Sequence, residues 1–268
     1  MRFHKPVGIL LLWFPTAWAL WLANSNSPPL KLVIYLFLGT VVMRAAGCVV
    51  NDLADRNIDK HVSRTKMRPI TTGEISVKGA IISLLILLIL ALLIVLQLPI
   101  MCLYYAFVAL AITIIYPFCK RFFEAPQLVL GLAFSMGIPI AYAASGLIYN
   151  QTMLILLGLN FLWIVAYDTM YALVDREDDL RIGVKSTAVL FQRFDRLIIM
   201  MLQISFHLLW LYLGLELHES IIFYGFWFLA LLVLIFQQYL LKQNTNESSF
   251  KAFSSNSWYG LLMWVALI

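Results

Sequence analysis

The chain has 268 residues, of which 62% are hydrophobic and 12% charged, against about 25% charged in an ordinary soluble domain. With a mean hydropathy of +0.88 it carries too much apolar side chain for one water-facing core, which excludes a soluble globular enzyme, a disordered chain and a disulfide scaffold. The formal net charge of +5 then reads as the basic loops of a polytopic membrane protein and not as a nucleic-acid surface.

In chain order, apolar runs fall at 7–23, 30–50, 79–98, 100–118, 126–147, 152–172, 195–215, 219–241 and 252–268. A spanning helix needs roughly 20 residues, and backbone polar groups in lipid must be satisfied within the segment. The predicted fold is therefore all-α, a polytopic transmembrane bundle of about nine helices in a single domain over 1–268. The first run follows Arg2 and Lys5, but Trp21 and Leu22 carry it past the small Ala17-Trp18-Ala19 triplet, so it reads as a span and not a cleaved signal peptide. Gly131, Gly137 and Pro139 predict a kink in the fifth run. The ninth is the weakest, because it opens on Ser254-Ser255-Asn256-Ser257. Cys48, Cys102 and Cys119 match no metal spacing and are expected as buried thiols.

Placing the loops between these runs puts eighteen of the nineteen Lys and Arg on one side, with Lys31 alone on the other. The positive-inside rule then makes the N-terminus cytoplasmic. The two long polar connections, 51–78 and 173–194, fall on that same side, and long loops in compact folds are usually functional.

Each of those connections opens on carboxylates. Asn51, Asp55 and Asp59 recur at i, i+4 and i+8, and Asp168, Asp175 and Asp179 at i, i+7 and i+11, so each set shares one face if the preceding helix continues. Acidic side chains at a helix C-terminus oppose the macrodipole, and Asp168 lies close to lipid depth, where ionisable groups are costly and usually functional. Such clusters repel themselves unless cations bind. Carboxylate and amide oxygens without His or Cys suit Mg²⁺ bridged to substrate phosphates and not zinc. Arg64, Lys66, Arg68, Lys120, Arg121 and Lys185 lie nearby, placed to neutralise a diphosphate. A secondary transporter is the main rival reading, although its site would be expected near the midplane on broken helices.

These segments resemble the UbiA intramembrane prenyltransferases. The resemblance rests on Asn51-Asp52-x-x-Asp55-x-x-x-Asp59 with Arg64-Thr65 and Arg68-Pro69, on Tyr116-Pro117-Phe118-Cys119-Lys120-Arg121 with Pro126-Gln127, and on Tyr167-Asp168-Thr169 through Asp175-Arg176-Glu177-Asp178-Asp179 to Lys185-Ser186-Thr187-Ala188. It runs from His4 to Gly260 and is similar above all to the branch that acts on 4-hydroxybenzoate. The resemblance implies helices around a central cavity in the bacterial inner membrane, with the site facing the cytoplasm. It implies Asn51, Asp55, Asp59, Asp175 and Asp179 as the Mg²⁺ ligands. Arg68, Lys120, Arg121 and Lys5 would be the basic contacts, Arg121 or a neighbour would hold an aromatic carboxylate, and Asp168 would be a possible proton acceptor. The implied reaction is prenyl transfer from a polyprenyl diphosphate to the carbon ortho to the hydroxyl of 4-hydroxybenzoate. An in-family enzyme with a menaquinone- or haem-type acceptor is the alternative. The partners implied are these substrates and the lipid bilayer, with no nucleic acid and no obligate protein partner. Tyr116, Phe134, Trp163 and Tyr171 are expected along the cavity.

Overall fold

A computed structural model describes residues 6–268, in which helices joined by short turns and loops are the regular structure, with no strand among the described residues. Twelve α-helices follow one another: α1 Val7–Ala23, α2 Leu30–Ala54, α3 Pro69–Thr72, α4 Val77–Val95, α5 Ile100–Cys119, α6 Pro126–Ser135, α7 Gly137–Ala144, α8 Gln151–Ile182, α9 Thr187–Phe191, α10 Asp195–Glu216, α11 Ile221–Lys242 and α12 Asn246–Val265. Short 3-10 turns lie at Asp59–His61 and Gln192–Phe194. Seven of these stretches are long and apolar enough to cross a membrane. The outward faces of α4 and α5 are oil: Leu85, Ile89 and Leu93 repeat at one helical spacing and are exposed. That is a lipid-facing stripe and not a core.

The core gathers on α1, which packs against α2, α7, α8 and α12. Trp18 is fully buried at its centre, with ring centroids 5.0 Å from Trp163 and 5.1 Å from Trp210, and its Nε1 donates to Gly260 O at 3.2 Å. Gly260 is small for a reason: a Cβ there would run into the Phe14 ring.

The fifth run is not one helix. It divides into α6 and α7 at Met136, because Pro139 has no amide to return to Ser135, four residues back. Gly137 lets the break seat against α1, where a Cβ would meet Thr16. The ninth apolar run forms α12, which begins at Asn246, earlier than its hydropathy predicts, under a Thr245–Ser248 capping box. Its polar residues face inward: Asn256 Oδ1 accepts from Trp163 Nε1 at 2.9 Å and its amide donates to Ala252 O at 3.1 Å. Hydropathy treats such residues as water-seeking, whereas here the bundle interior satisfies them. The 173–194 connection is mostly helix. α8 has 32 residues, about 48 Å at 1.5 Å per residue, and outruns a hydrocarbon core of about 30 Å. The three cysteines are buried and unbridged.

Candidate active site

Two helix ends make the site. α2 delivers Asn51 in its last turn and stops at Ala54, with Asp55 as its C-cap. The expected single helical face through Asp59 is therefore interrupted, and Asp59 opens a 3-10 turn. Its orientation survives, because Asp55 N still bonds Asn51 O at 2.9 Å and Asp59 N bonds Asp55 O at 2.8 Å. α8 does continue unbroken and keeps Asp168, Asp175 and Asp179 on one side. All six side chains line a single cavity of about 510 Å³. Sequence segments more than a hundred residues apart thus face each other across one space.

The carboxylates are held by cations. Lys120 Nζ donates to Asp55 Oδ2 at 2.8 Å and reaches Asn51 Oδ1 at 3.4 Å. Arg68 Nη1 bridges Asp59 Oδ2 at 2.7 Å and Asp52 Oδ1 at 3.0 Å. Arg64 crosses to the other bank: its Nε donates to Asp175 Oδ1 at 3.0 Å and its Nη2 to Asp175 Oδ2, a fork-to-fork pair. The same guanidinium lies 4.5 Å from the Tyr171 ring centroid. One residue earlier, Ser63 N donates to Asp178 Oδ2 at 2.8 Å. The loop after the first motif is thereby strapped onto the second. Burial raises the Asp59 carboxyl above its ordinary range, and Arg68 pulls it back down.

The residue set fits Mg²⁺. Asp55 and Asp59 are 3% and 4% exposed, deep enough that charge must be matched, yet Asp55 Oδ1 has no hydrogen-bond partner. Among the described residues no three acidic, histidine or cysteine side chains close on one point. The protein offers two partial sets of hard oxygen ligands, and Mg²⁺ commonly completes such sets with phosphate oxygens and water.

Not every expected residue reaches the cavity. Arg121 is displaced from it: its Nη2 donates to Ala54 O at 2.9 Å, capping the end of α2 from outside, and it lies over Phe118. Consecutive residues of a helical turn point in different directions, so Lys120 faces the carboxylates and Arg121 cannot. Lys5 lies outside the described residues. Tyr116, Phe134 and Tyr171 line the cavity, but Trp163 does not; it is in the core.

Arg64, expected near the diphosphate, does line the cavity, and the structure adds Arg44 to its wall. Arg44 sits two turns before Asn51 on α2, about 10 Å deeper. Its side chain makes no ion pair or hydrogen bond among the described residues; its guanidinium lies 5.8 Å from the Phe134 ring centroid and against Gly8, where a Cβ would have to displace it. A basic residue inside an apolar run, on the face that leads to Asn51, was the signal for it. Gln127, from the Pro126-Gln127 pair, lines the cavity and also ties two elements together. Its Oε1 accepts from Thr187 N at 2.9 Å, fixing the start of α9, where Ser186 Oγ accepts from Val189 N at 3.3 Å.

The model of the UbiA prenyltransferase family matches residues 12–266. The chain belongs to the UbiA prenyltransferase family. Its apolar helices and this membership make it an integral membrane protein. A relative from Legionella pneumophila named 4-hydroxybenzoate octaprenyltransferase is 54% identical over 100% of this chain and 95% of its own length. One of the same name from Coxiella burnetii is 43% identical, covering 100% of this chain and 93% of its own length. Among solved structures, an apo UbiA homologue from Aeropyrum pernix superposes with a TM-score of 0.85 at 21% identity, covering 99% of this chain and 98% of the other. A UbiA homologue from Archaeoglobus fulgidus bound to GPP and Mg²⁺ gives 0.75 at 19% identity, covering 98% and 97%. At those identities the two structures establish the shared UbiA fold.

Proposed function

We propose that this UbiA family member is a Mg²⁺-dependent aromatic polyprenyltransferase, moving a polyprenyl group from polyprenyl diphosphate to the ring carbon ortho to the hydroxyl of 4-hydroxybenzoate. The observation that carries this reading is the pair of carboxylate banks facing each other across one cavity, in a chain matching 4-hydroxybenzoate octaprenyltransferases over its whole length.

In this reading Asn51, Asp55 and Asp59 hold Mg²⁺ from one bank and Asp175 and Asp179 from the other. Held there, Mg²⁺ would supply Lewis acidity toward a diphosphate leaving group. Lys120, Arg68 and Arg64 stand at the same end and stabilise the departing diphosphate. The apolar wall from α1, α2 and α12 excludes water from the allylic cation. Asp168, two turns below Asp175, takes the ring proton after the new carbon–carbon bond forms. Arg44 takes the aromatic acid's carboxylate, because it is the cavity cation with no acidic partner among the described residues. This replaces Arg121 in that role. With eighteen of nineteen cations on one side, the mouth of the cavity faces the cytoplasm of the bacterial inner membrane.

The test is direct. Purified protein with Mg²⁺, a polyprenyl diphosphate and 4-hydroxybenzoate should release diphosphate and yield the 3-prenylated acid. Absence of that product, while a naphthoate or haem-type acceptor is prenylated, would move the reading elsewhere in the family. Absence of product with every acceptor would remove it.

A further inference from the structure

Resting on that reading, we infer that Gly8 and Phe134 are positioning residues that set the direction of the Arg44 guanidinium and, through it, the preference for an acceptor with a free carboxylate. The three residues come from three helices, Gly8 from the first turn of α1, Arg44 from α2 and Phe134 from α6. All three line the cavity and are only partly buried, so the group they hold is open to a ligand. A Cβ built on Gly8 would fall 2.6 Å from Arg44 Nε and 2.9 Å from its Cζ, and closer still to its Nη2, well inside van der Waals contact. The same guanidinium lies 5.8 Å from the Phe134 ring centroid, within cation–π range.

Neither backbone conformation nor helix packing accounts for the glycine. Gly8 lies within α1 and has no positive φ, so its conformational freedom is unused. The three atoms nearest to its missing side chain all belong to the guanidinium, and none to the backbone of a neighbouring helix. What the glycine makes room for is therefore the head of Arg44. With no acidic partner among the described residues, that head is directed by packing, against a bare turn of helix and a ring. Such a seat suits a flat, delocalised cation and not a compact ammonium. Held there, the guanidinium meets an incoming carboxylate already ordered, without the entropy cost of fixing a long side chain. A site built to hydrogen-bond a group discriminates strongly against analogues lacking it, here an ester of the acid.

The experiment compares the parent with Gly8→Ala, Phe134→Leu, Arg44→Leu and the double variant Gly8→Ala with Arg44→Leu. Gly8→Ala is expected to fold, because the added methyl meets the end of a flexible side chain. Equilibrium dialysis in detergent measures binding of 4-hydroxybenzoate and of its methyl ester, and steady-state assays give KM for the acid and for the prenyl diphosphate. In Gly8→Ala the preference for acid over ester should fall about ten-fold or more, the scale of one hydrogen bond to a charged group. KM for the acid should rise and that for the diphosphate should not. Phe134→Leu should lower the preference about two- to five-fold, the scale of a cation–π contact near solvent. In the Arg44→Leu background the alanine should change nothing further, since the group it displaces is gone. An unchanged preference in Gly8→Ala, with Arg44→Leu lowering it, would overturn the inference. So would an equal loss from the alanine in both backgrounds, which marks a structural role. Should Gly8→Ala fail to fold, Phe134→Leu decides alone, and an unchanged preference there overturns the inference. If Arg44→Leu itself leaves the preference unchanged, or the parent neither binds nor prenylates the acid, the functional reading fails first and the inference falls with it.

Discussion

Arg64 and Asp175 form a two-point ion pair that joins the loop after α2 to the middle of the second acidic motif. The loop therefore lies over the cavity instead of hanging in solvent, and Ser63 N to Asp178 is the second stitch. A guanidinium presents two parallel N–H groups to a carboxylate, and an ammonium cannot. Arg64→Lys is thus expected to keep the charge and lose the strap. Hydrogen exchange at residues 60–68 should quicken in both Arg64→Lys and Arg64→Ala, with turnover falling about ten-fold or more. Unchanged exchange in both variants would show that the pair does not hold the loop.

Asp55→Ala and Asp175→Ala should each abolish turnover, and a chelator should do so reversibly in the parent, with Mg²⁺ restoring it. Both variants are expected to fold. The Lys120 side chain left by the first is 23% exposed and the Arg64 side chain left by the second is 28% exposed, so each orphaned cation reaches water. Measurable turnover in either variant, with saturating Mg²⁺, would remove that carboxylate from the metal site.

Neighbouring cations should separate cleanly. Lys120→Ala removes the partner of a carboxylate at the reacting end, and turnover should fall about 10²-fold or more. Arg121→Ala removes one exposed hydrogen bond to Ala54 O, worth about 1 kcal/mol, and should leave turnover within a few-fold of the parent. The reverse order would place Arg121, and not Lys120, against the substrate.

Arg44→Leu should raise KM for 4-hydroxybenzoate at least ten-fold while the KM for the diphosphate stays put, since the guanidinium lies about two helical turns below the acidic motif. A change confined to the diphosphate would assign Arg44 to the donor.

Asn256→Ala tests the last helix. It strands the indole N–H of fully buried Trp163, at a cost of about 1–3 kcal/mol, and the thermal midpoint in detergent should drop accordingly. No change would mean that the polar face of α12 is not holding it in the bundle.

Much of the site was legible because charge is scarce in this chain. Acidic side chains at i, i+4 and i+8, or i, i+7 and i+11, at the ends of apolar runs leave few readings other than a shared polar face. Asp55, Asp59, Asp175 and Asp179 all reach the cavity for that reason. Arg121 and Trp163 show the limit. Adjacent positions on a turn diverge by about 100°, and whether an aromatic faces a cavity or the core depends on the helix packed against it, here α1 with Trp18. The same limit hid the true start of α12, whose serines and Asn256 look unfit for lipid until Trp163 is placed beside them.

Composition and spacing, then, determined by themselves that this is a helical membrane protein with two acidic motifs, because a bilayer permits few spanning structures and tolerates few buried charges. Tertiary structure alone decided which cation meets which carboxylate, that Arg64 straps the mouth, and that Arg44 sits deep with no acidic partner among the described residues. Those facts depend on how α2, α5 and α8 pack against one another, and no periodicity along a single helix records the azimuth at which its neighbour arrives.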